Sequence, residues 1–348
     1  MKAVIFVCAL LVLPVSGIAQ EVARYGGTST ELETRWTWAE NELDRRSGDI
    51  WFGYSIERLM RADSHMGRYS SRKNYPTFGE LLYGIKTERT PGLDSRSDRM
   101  IMKEMVMMFL MSKQGKIQDV LFSTLDGDVH VDNDILWLGN VDTGASLANT
   151  KILFRNSTES DVREDLVAAI SMHDSPEALD MLRSILKADD VPEVREQAAF
   201  WMSQVSDTEV VLDDLVSAAT NDQSEDVQEQ AVFAISQIET KSATDALIRL
   251  ARTGPSEIKD ESIFWLGQKA TDRATESLAE IVENDPDYEV KKQALFALSQ
   301  QENQAGIDML IQIARTHDSA ALRKDAIFWL SQSDDPAALD AIVAIVKG

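Results

Sequence analysis

Four tryptophans, Trp137, Trp201, Trp265 and Trp329, follow one another at a constant interval of 64 residues. Near the midpoints of those intervals lie Ala169, Ala234 and Ala297. The pattern is an internal repeat of about 32 residues in which a large and a small residue alternate at one position. A chain built this way has no single centre. Each unit buries its apolar face only against its neighbours, so the units stack in a row, and such stacks more often bind than transform.

The units align on an aliphatic anchor at Val162, Val194, Val227, Ile258, Val290 and Leu322. A basic residue follows five of the six anchors (Arg163, Arg195, Lys259, Lys291, Arg323), with Gln228 the exception. Four places on stand Leu166, Ala198, Ala231, Ser262, Ala294 and Ala326, and eight places on Ile170, Met202, Ile235, Leu266, Leu298 and Leu330. That spacing makes one apolar helical face, and the small residue in its middle lets a neighbouring helix approach. A second amphipathic helix follows in each unit, introduced by signals such as Ser175-Pro176, Thr240, Thr271-Asp272 and Asp335-Pro336. Each unit is therefore expected to be a pair of antiparallel helices.

The run Pro192-Glu193-Val194-Arg195-Glu196-Gln197-Ala198-Ala199-Phe200-Trp201-Met202 resembles the second helix of a HEAT repeat. The unit length is similar to that of the short HEAT-like repeats of phycobilisome lyases. The resemblance covers residues 130–348. It implies an all-α solenoid whose Val-Arg helices line the concave side, and it implies no single activity. The first unit begins at Ile135-Leu136-Trp137-Leu138-Gly139-Asn140, which copies Ile263-Phe264-Trp265-Leu266-Gly267-Gln268.

Residues 20–129 show no repeat and are expected to form a small α+β region that caps the stack. Thr30 to Arg46 reads as a helix with Thr30 as its cap and Glu33 completing a capping box. Asp49 to Tyr54 reads as a strand, and Lys103–Ser112 with Lys116–Leu125 as a hairpin turning at Gln114-Gly115. Residues 1–19 read as a cleaved secretory signal: Lys2, an apolar run from Ala3 to Leu13, and Gly17-Ile18-Ala19 before Gln20. The resulting expectation is an exported protein, periplasmic or extracellular, similar to HEAT proteins of bacterial envelopes. Cys8, the only cysteine, lies within that run, so the mature chain would have no thiol ligand or disulfide.

Charge narrows the partners. Residues 20–129 carry 16 Lys/Arg and 17 Asp/Glu, whereas residues 130–348 carry 18 and 41, a net of 18 − 41 = −23. That field repels phosphate backbones, so nucleic acid is excluded and basic proteins or peptides are favoured. Beyond the signal, no apolar run approaches membrane-spanning length.

Neither metal nor nucleophile is expected. HEAT proteins similar to deoxyhypusine hydroxylase hold iron through His-Glu pairs. Here His65, His130, His173 and His317 precede Met66, Val131, Asp174 and Asp318, so no iron site is implied. Asp126, Asp128, Asp132 and Asp134 lack the spacing and closing glutamate of a calcium loop and read as a solvated turn. The six methionines from Met100 to Met111 read as strand core. Ser203, Ser236, Ser299 and Ser331 recur with the scaffold and have no recurring base.

The remaining candidate is a ladder. Phe200, Phe233, Phe264, Phe296 and Phe328 stand six places after the anchors, and Gln204, Gln237, Gln268, Gln300 and Gln332 ten places after. Both positions lie opposite the apolar face, on one side of the helix. As a binding row they would suit an extended peptide or a glycan; as scaffold, the rings would fill seams and the amides tie off helix ends. The tryptophans at seven read as seam-fillers, with the alanines leaving them room. The sequence thus points to a non-catalytic binding scaffold without cofactor. Two rivals stand beside it: a cation or glycan binder, and an enzyme or enzyme accessory whose site, near Trp36, Trp38, Trp51, Tyr54 and His65, lies where the N-terminal region meets the first repeat.

Overall fold

A computed structural model describes residues 21–66, 76–85, 99–204, 208–269, 271–301 and 303–347. The proposed signal, residues 1–19, lies outside the described residues. The chain divides into two compact units, Met1–Leu182 and Arg183–Gly348.

The first unit is built on a mixed five-stranded sheet. Its strands are β1 (Val22–Arg24), β2 (Ile50–Arg61), β3 (Met100–Met111), β4 (Ile117–Thr124) and β5 (Ile135–Asn140), in the order β1-β5-β2-β3-β4. β3 runs antiparallel to β2 and β4, while β5 runs parallel to β1 and β2. The expected hairpin is β3–β4, and Gly115 turns it at φ +71°. The helices are α1 (Leu32–Arg45), α2 (Phe78–Tyr83), α3 (Thr143–Asn156) and α4 (Ser160–Ser171), and α5 (Pro176–Ala188) spans the division between the units. The cap of α1 is Glu31, with no side-chain hydrogen bond, rather than Thr30.

Ile135–Asn140 is a correction to the sequence reading. It copies a repeat helix over six residues yet forms the strand β5, between β1 and β2. A short apolar run takes the conformation its surroundings favour, and here an aspartate-rich turn precedes it and a left-handed glycine, Gly139 at φ +80°, falls within it. Trp137 pairs with Gly53 of β2. A Cβ at Gly53 would come within 3.1 Å of the Trp137 ring and 2.5 Å of Met108 Sδ, so the glycine makes room for the indole. The helical array begins at Thr143, and Trp137 belongs to the sheet.

Both sheet faces are covered. On one, Trp36 of α1 meets Phe52 edge-on at 5.2 Å, and Tyr54 lies 5.7 Å from Phe109. On the other, Trp51, Val106, Met108, Ile135 and Trp137 pack with Phe78 and Leu82 of α2. Trp36, Trp51 and Tyr54 are thus core, and Trp38 sits edge-on to Tyr25. His65 pairs with Asp126. Met105, Met107, Met108 and Met111 are buried, whereas Met100 and Met102 are exposed. The aspartate loop is not merely solvated. Asp128 is buried and bridges to Thr77, and Asp134 accepts from the Glu21 backbone N–H and pairs with Arg46. The Asp134 carboxylate thereby ties the residue before β1 and the end of α1 to the loop before β5; among the described residues no group of three or more metal-type ligands occurs.

The second unit consists of helices in two layers. One layer holds α6 (Pro192–Met202), α8 (Glu225–Gln237), α10 (Ser256–Lys269), α12 (Tyr288–Ser299) and α14 (Ala320–Ser331). The other holds α7 (Leu212–Asn221), α9 (Lys241–Thr253), α11 (Asp272–Asn284), α13 (Gln304–Thr316) and α15 (Pro336–Lys347). The anchors Val194, Val227, Ile258, Val290 and Leu322 are buried, as are the small residues four places on and the aliphatics eight places on. Thr240 and Thr271 cap α9 and α11 by accepting from Ala243 and Ala274 backbone N–H groups, as their positions predict. Neighbouring even-numbered helices pack against one another more extensively than neighbouring odd-numbered ones do.

The basic residue after the anchor has a structural task. Arg195 donates to Asp222 in the turn before the next even helix through Nε (2.9 Å) and Nη2 (2.7 Å), and to the Asp189 carbonyl (2.8 Å). Lys259 pairs with Asp285 at the equivalent place, and Gln228 donates to the Asp222 carbonyl at 2.6 Å. Burial pushes the Asp222 carboxyl up, but its hydrogen bonds and the Arg195 charge outweigh this and hold it below the usual carboxylate range. The side chains of Arg195 and Asp222 are only 11% and 10% exposed. Asp222→Ala leaves a nearly buried guanidinium with only the Asp189 carbonyl as acceptor and is expected to cost about 2 kcal/mol, the scale of lost charge-assisted hydrogen bonds. Urea titration checks it; a loss within experimental error would show that the pair is exposed in solution.

Candidate binding groove

The core positions of the even helices fix what the opposite side presents. Positions six and ten places after each anchor face away from the odd layer. Phe264, Phe296 and Phe328 are 43%, 37% and 53% exposed. Phe200 and Phe233 are half-buried, and Gln204, Gln237, Gln268, Gln300 and Gln332 are all exposed. Leaving large apolar rings in water is unfavourable, and a regular row of them is an uncommon surface for a soluble domain.

The rings form two clusters rather than one even ladder. Phe200 stacks on Phe233 (6.3 Å, interplanar angle 4°), and Phe233 meets Trp265 at 5.2 Å. Trp201 and Trp265 meet Phe200 and Phe264 of their own helices edge-on, each at 5.1 Å. Further along, Trp329 joins Phe296 and Phe328, each at 5.0 Å. Trp265 and Trp329 therefore bridge adjacent even helices, as seam-fillers would, but at the surface: they and Trp201 are half-buried. Ala234 and Ala297 are buried. At Gly267 a Cβ would come within 3.0 Å of the Ala297 carbonyl oxygen and its Cβ; here α10 and α12 approach too closely for any side chain.

The glutamines are both scaffold and surface. In four of the five units a serine hydroxyl donates to the carbonyl of the phenylalanine three residues back: Ser203 to Phe200 (2.7 Å), Ser236 to Phe233 (2.6 Å), Ser299 to Phe296 (2.7 Å) and Ser331 to Phe328 (2.6 Å). The next glutamine donates its amide to that hydroxyl, at 2.9, 3.0, 3.3 and 3.2 Å. The helix end is thus tied off through serine. Each amide is held with one edge spent on the scaffold, and the side chain remains exposed.

Sequence reasoning missed the walls of the groove. Glu193, Glu196, Asp226, Glu229, Gln230 and Glu261, with Phe233 and Trp265, line a cavity of about 470 Å³ across α6, α8 and α10. Trp265 Nε1 donates to Glu261 Oε1 at 2.5 Å, which fixes the indole. Burial, then the charges of Glu261, Glu225 and Asp226, raise the Glu229 carboxyl above its ordinary range. The signal was present in the repeat: two places after the anchor stand Glu196, Glu229 and Asp260, then Lys292 and Lys324. These positions share a face with the phenylalanines, so the aromatic row runs from an acidic stretch to a basic one. Lys292 is itself matched by Glu289 at 2.9 Å. A second hollow of about 440 Å³ lies at the α12 and α14 ends, with Trp329, Gln300, Gln332 and Asp335 among its walls.

The model of HEAT repeats matches residues 147–232, 212–299 and 275–348, which together span more than half of the chain. The chain belongs to the HEAT-repeat family, and its architecture is an α-helical repeat solenoid preceded by a small α+β region. No curated protein matches it. Among solved structures it is similar to the CpcE–CpcF complex of phycocyanin lyase from Nostoc sp. PCC7120 (15% identity, 55% of this chain and 99% of that one, TM-score 0.25). It is also similar to Kap121p bound to Pho4p (20% identity, 57% and 25%, TM-score 0.34) and to human deoxyhypusine hydroxylase in complex with glycerol (17% identity, 57% and 85%, TM-score 0.25). These are likenesses of repeat fold, too distant to transfer a ligand.

Proposed function

We propose that this HEAT-repeat protein is a non-catalytic scaffold of the bacterial cell envelope that binds an extended protein or peptide segment along its even-numbered helices. The observation that carries the reading is the exposure of Phe264, Phe296 and Phe328 at one repeating position, the last two followed by the Gln300 and Gln332 amides that Ser299 and Ser331 hold in place. Rings at a helical repeat give contact area at low entropic cost, and a row of amides with spare edges matches a peptide backbone. The acidic character of the repeat region favours a basic segment. The envelope assignment rests on the leader-like residues 1–19.

A random peptide library displayed on phage, selected on the full chain and read out with synthetic peptides, tests it. Phe264→Ala with Phe328→Ala is expected to weaken the selected peptides at least about tenfold, the scale of losing two aromatic contacts, with the helical content unchanged by circular dichroism. Equal affinity for both proteins would place the interface elsewhere and overturn the reading.

A further inference from the structure

We infer that the hollow across α6, α8 and α10 is the seat of one arginine side chain of a basic peptide; this rests on the peptide-binding reading above and names the chemistry that its acidic end selects. The floor is aromatic: Phe233 and Trp265 touch at 5.2 Å with their planes tilted by 57°, and Phe200 stacks behind Phe233. The walls are carboxylates from three successive helices, Glu193 and Glu196, Asp226 and Glu229, and Glu261. Ring faces attract a cation, and carboxylates beside them supply the acceptors that its N–H groups require. A guanidinium fits this pairing better than an ammonium. It is flat, it is weakly hydrated, it stacks on rings, and its fork meets carboxylates in pairs.

Charge complementarity commits the groove to this occupant. The side chain is not drawn to an acidic surface in general, because the hollow joins both halves of the recognition in one place: rings that desolvate the plane and carboxylates at its rim. Burial first, then like-charge repulsion, raise Glu229, and a cation entering the hollow relieves the repulsion. The same repeat position carries Lys292 and Lys324 two and three helices further on. A bound peptide is therefore oriented, with its arginine over α8–α10 and a neutral or acidic stretch toward α14.

The test compares fluorescent tetra-arginine and tetra-citrulline peptides by anisotropy on the full chain; citrulline keeps the planar shape and removes the charge. Tetra-arginine is expected to bind at least about tenfold more tightly. Glu193→Gln with Glu229→Gln should remove most of that difference and leave the citrulline peptide unaffected. Asp213→Asn with Glu276→Gln makes the same change of charge at exposed positions of α7 and α11, and should change neither peptide by more than about twofold. Equal weakening by the two double variants would reduce the effect to general acidity and overturn the arginine seat. Equal binding of both peptides, lost in Phe264→Ala with Phe328→Ala, would overturn the seat while leaving the peptide groove standing. Absence of binding by either peptide would overturn the seat, while phage-selected peptides sensitive to Phe264→Ala with Phe328→Ala would still uphold the groove.

Discussion

Trp137→Ala is expected to destabilise the first unit by about 3–5 kcal/mol, the cost of emptying a buried tryptophan site. Trp265→Ala, at the same place in the sequence pattern, is expected to cost about 1 kcal/mol, the scale of a half-exposed aromatic contact. The contrast follows from position alone. Trp137 is 3% exposed, lies over Gly53 and meets Tyr83 edge-on at 5.9 Å. Its cavity cannot collapse, because β1 and β2 hold β5 on both sides. Trp265 loses only its contacts to Phe233 and Phe264 and its hydrogen bond to Glu261, and water fills the space. Hydrogen exchange of the β2 and β5 amides reads the first effect directly. Similar losses in the two variants would place Trp137 on a repeat helix and refute the strand.

That contrast also marks where the sequence was legible. The repeat face was readable because burial recurs: Val194, Ala198 and Met202 predict Val290, Ala294 and Leu298, and all six are buried. Helix starts at Thr240 and Thr271 were readable because capping is local chemistry. The six residues around Trp137 were misread because a short apolar run does not declare its own secondary structure; the parallel partners of β5 lie far away in the chain, at Val22–Arg24 and Ile50–Arg61. At the groove, the phenylalanines were found because an apolar residue at a polar position breaks the pattern. The glutamates escaped because acidic residues on an exposed helical face break none. Only the arrangement of three helices shows that Glu193, Glu229 and Glu261 border one hollow. The tandem Ser-Gln step was visible as a repeat, but its meaning required hydrogen bonds: the serine carries the amide, and the amide carries the surface.

Acid should expose a weak point in the first unit, at His173. Ser146 Oγ of α3 lies 3.0 Å from Tyr54 Oη and 2.7 Å from His173 Nε2, and all three residues are buried. His173 Nδ1 faces the Ala169 carbonyl at 3.0 Å. A carbonyl only accepts, so Nδ1 carries the proton and Nε2 accepts from Ser146, which fixes the neutral tautomer. Burial, outweighing the two backbone carbonyls and aided by the charges of Arg58 and Lys151, lowers the imidazole from 6.5 to about 4. The unfolded chain therefore takes the proton first. Stability from this group is intact above about pH 6.5, declines below it, and is lost by about pH 4, a change of about 3 kcal/mol. Asp165 works in the opposite sense. Burial and the charges of Asp119, Glu164 and Asp161 raise it to about 6, so its protonation favours the folded state as pH falls. The wild-type curve alone would blur the two, and the difference between wild type and His173→Gln isolates the histidine. At pH 7 the variant should be the less stable, by about 1 kcal/mol for its imperfect hydrogen bonds. By pH 4 it should be the more stable, because only the wild type must bury an imidazolium or unfold. Urea titrations at half-unit intervals of pH read the crossing. A difference that stays constant from pH 7 to pH 4 would mean that His173 titrates alike in both states, and that the Tyr54–Ser146–His173 network admits water.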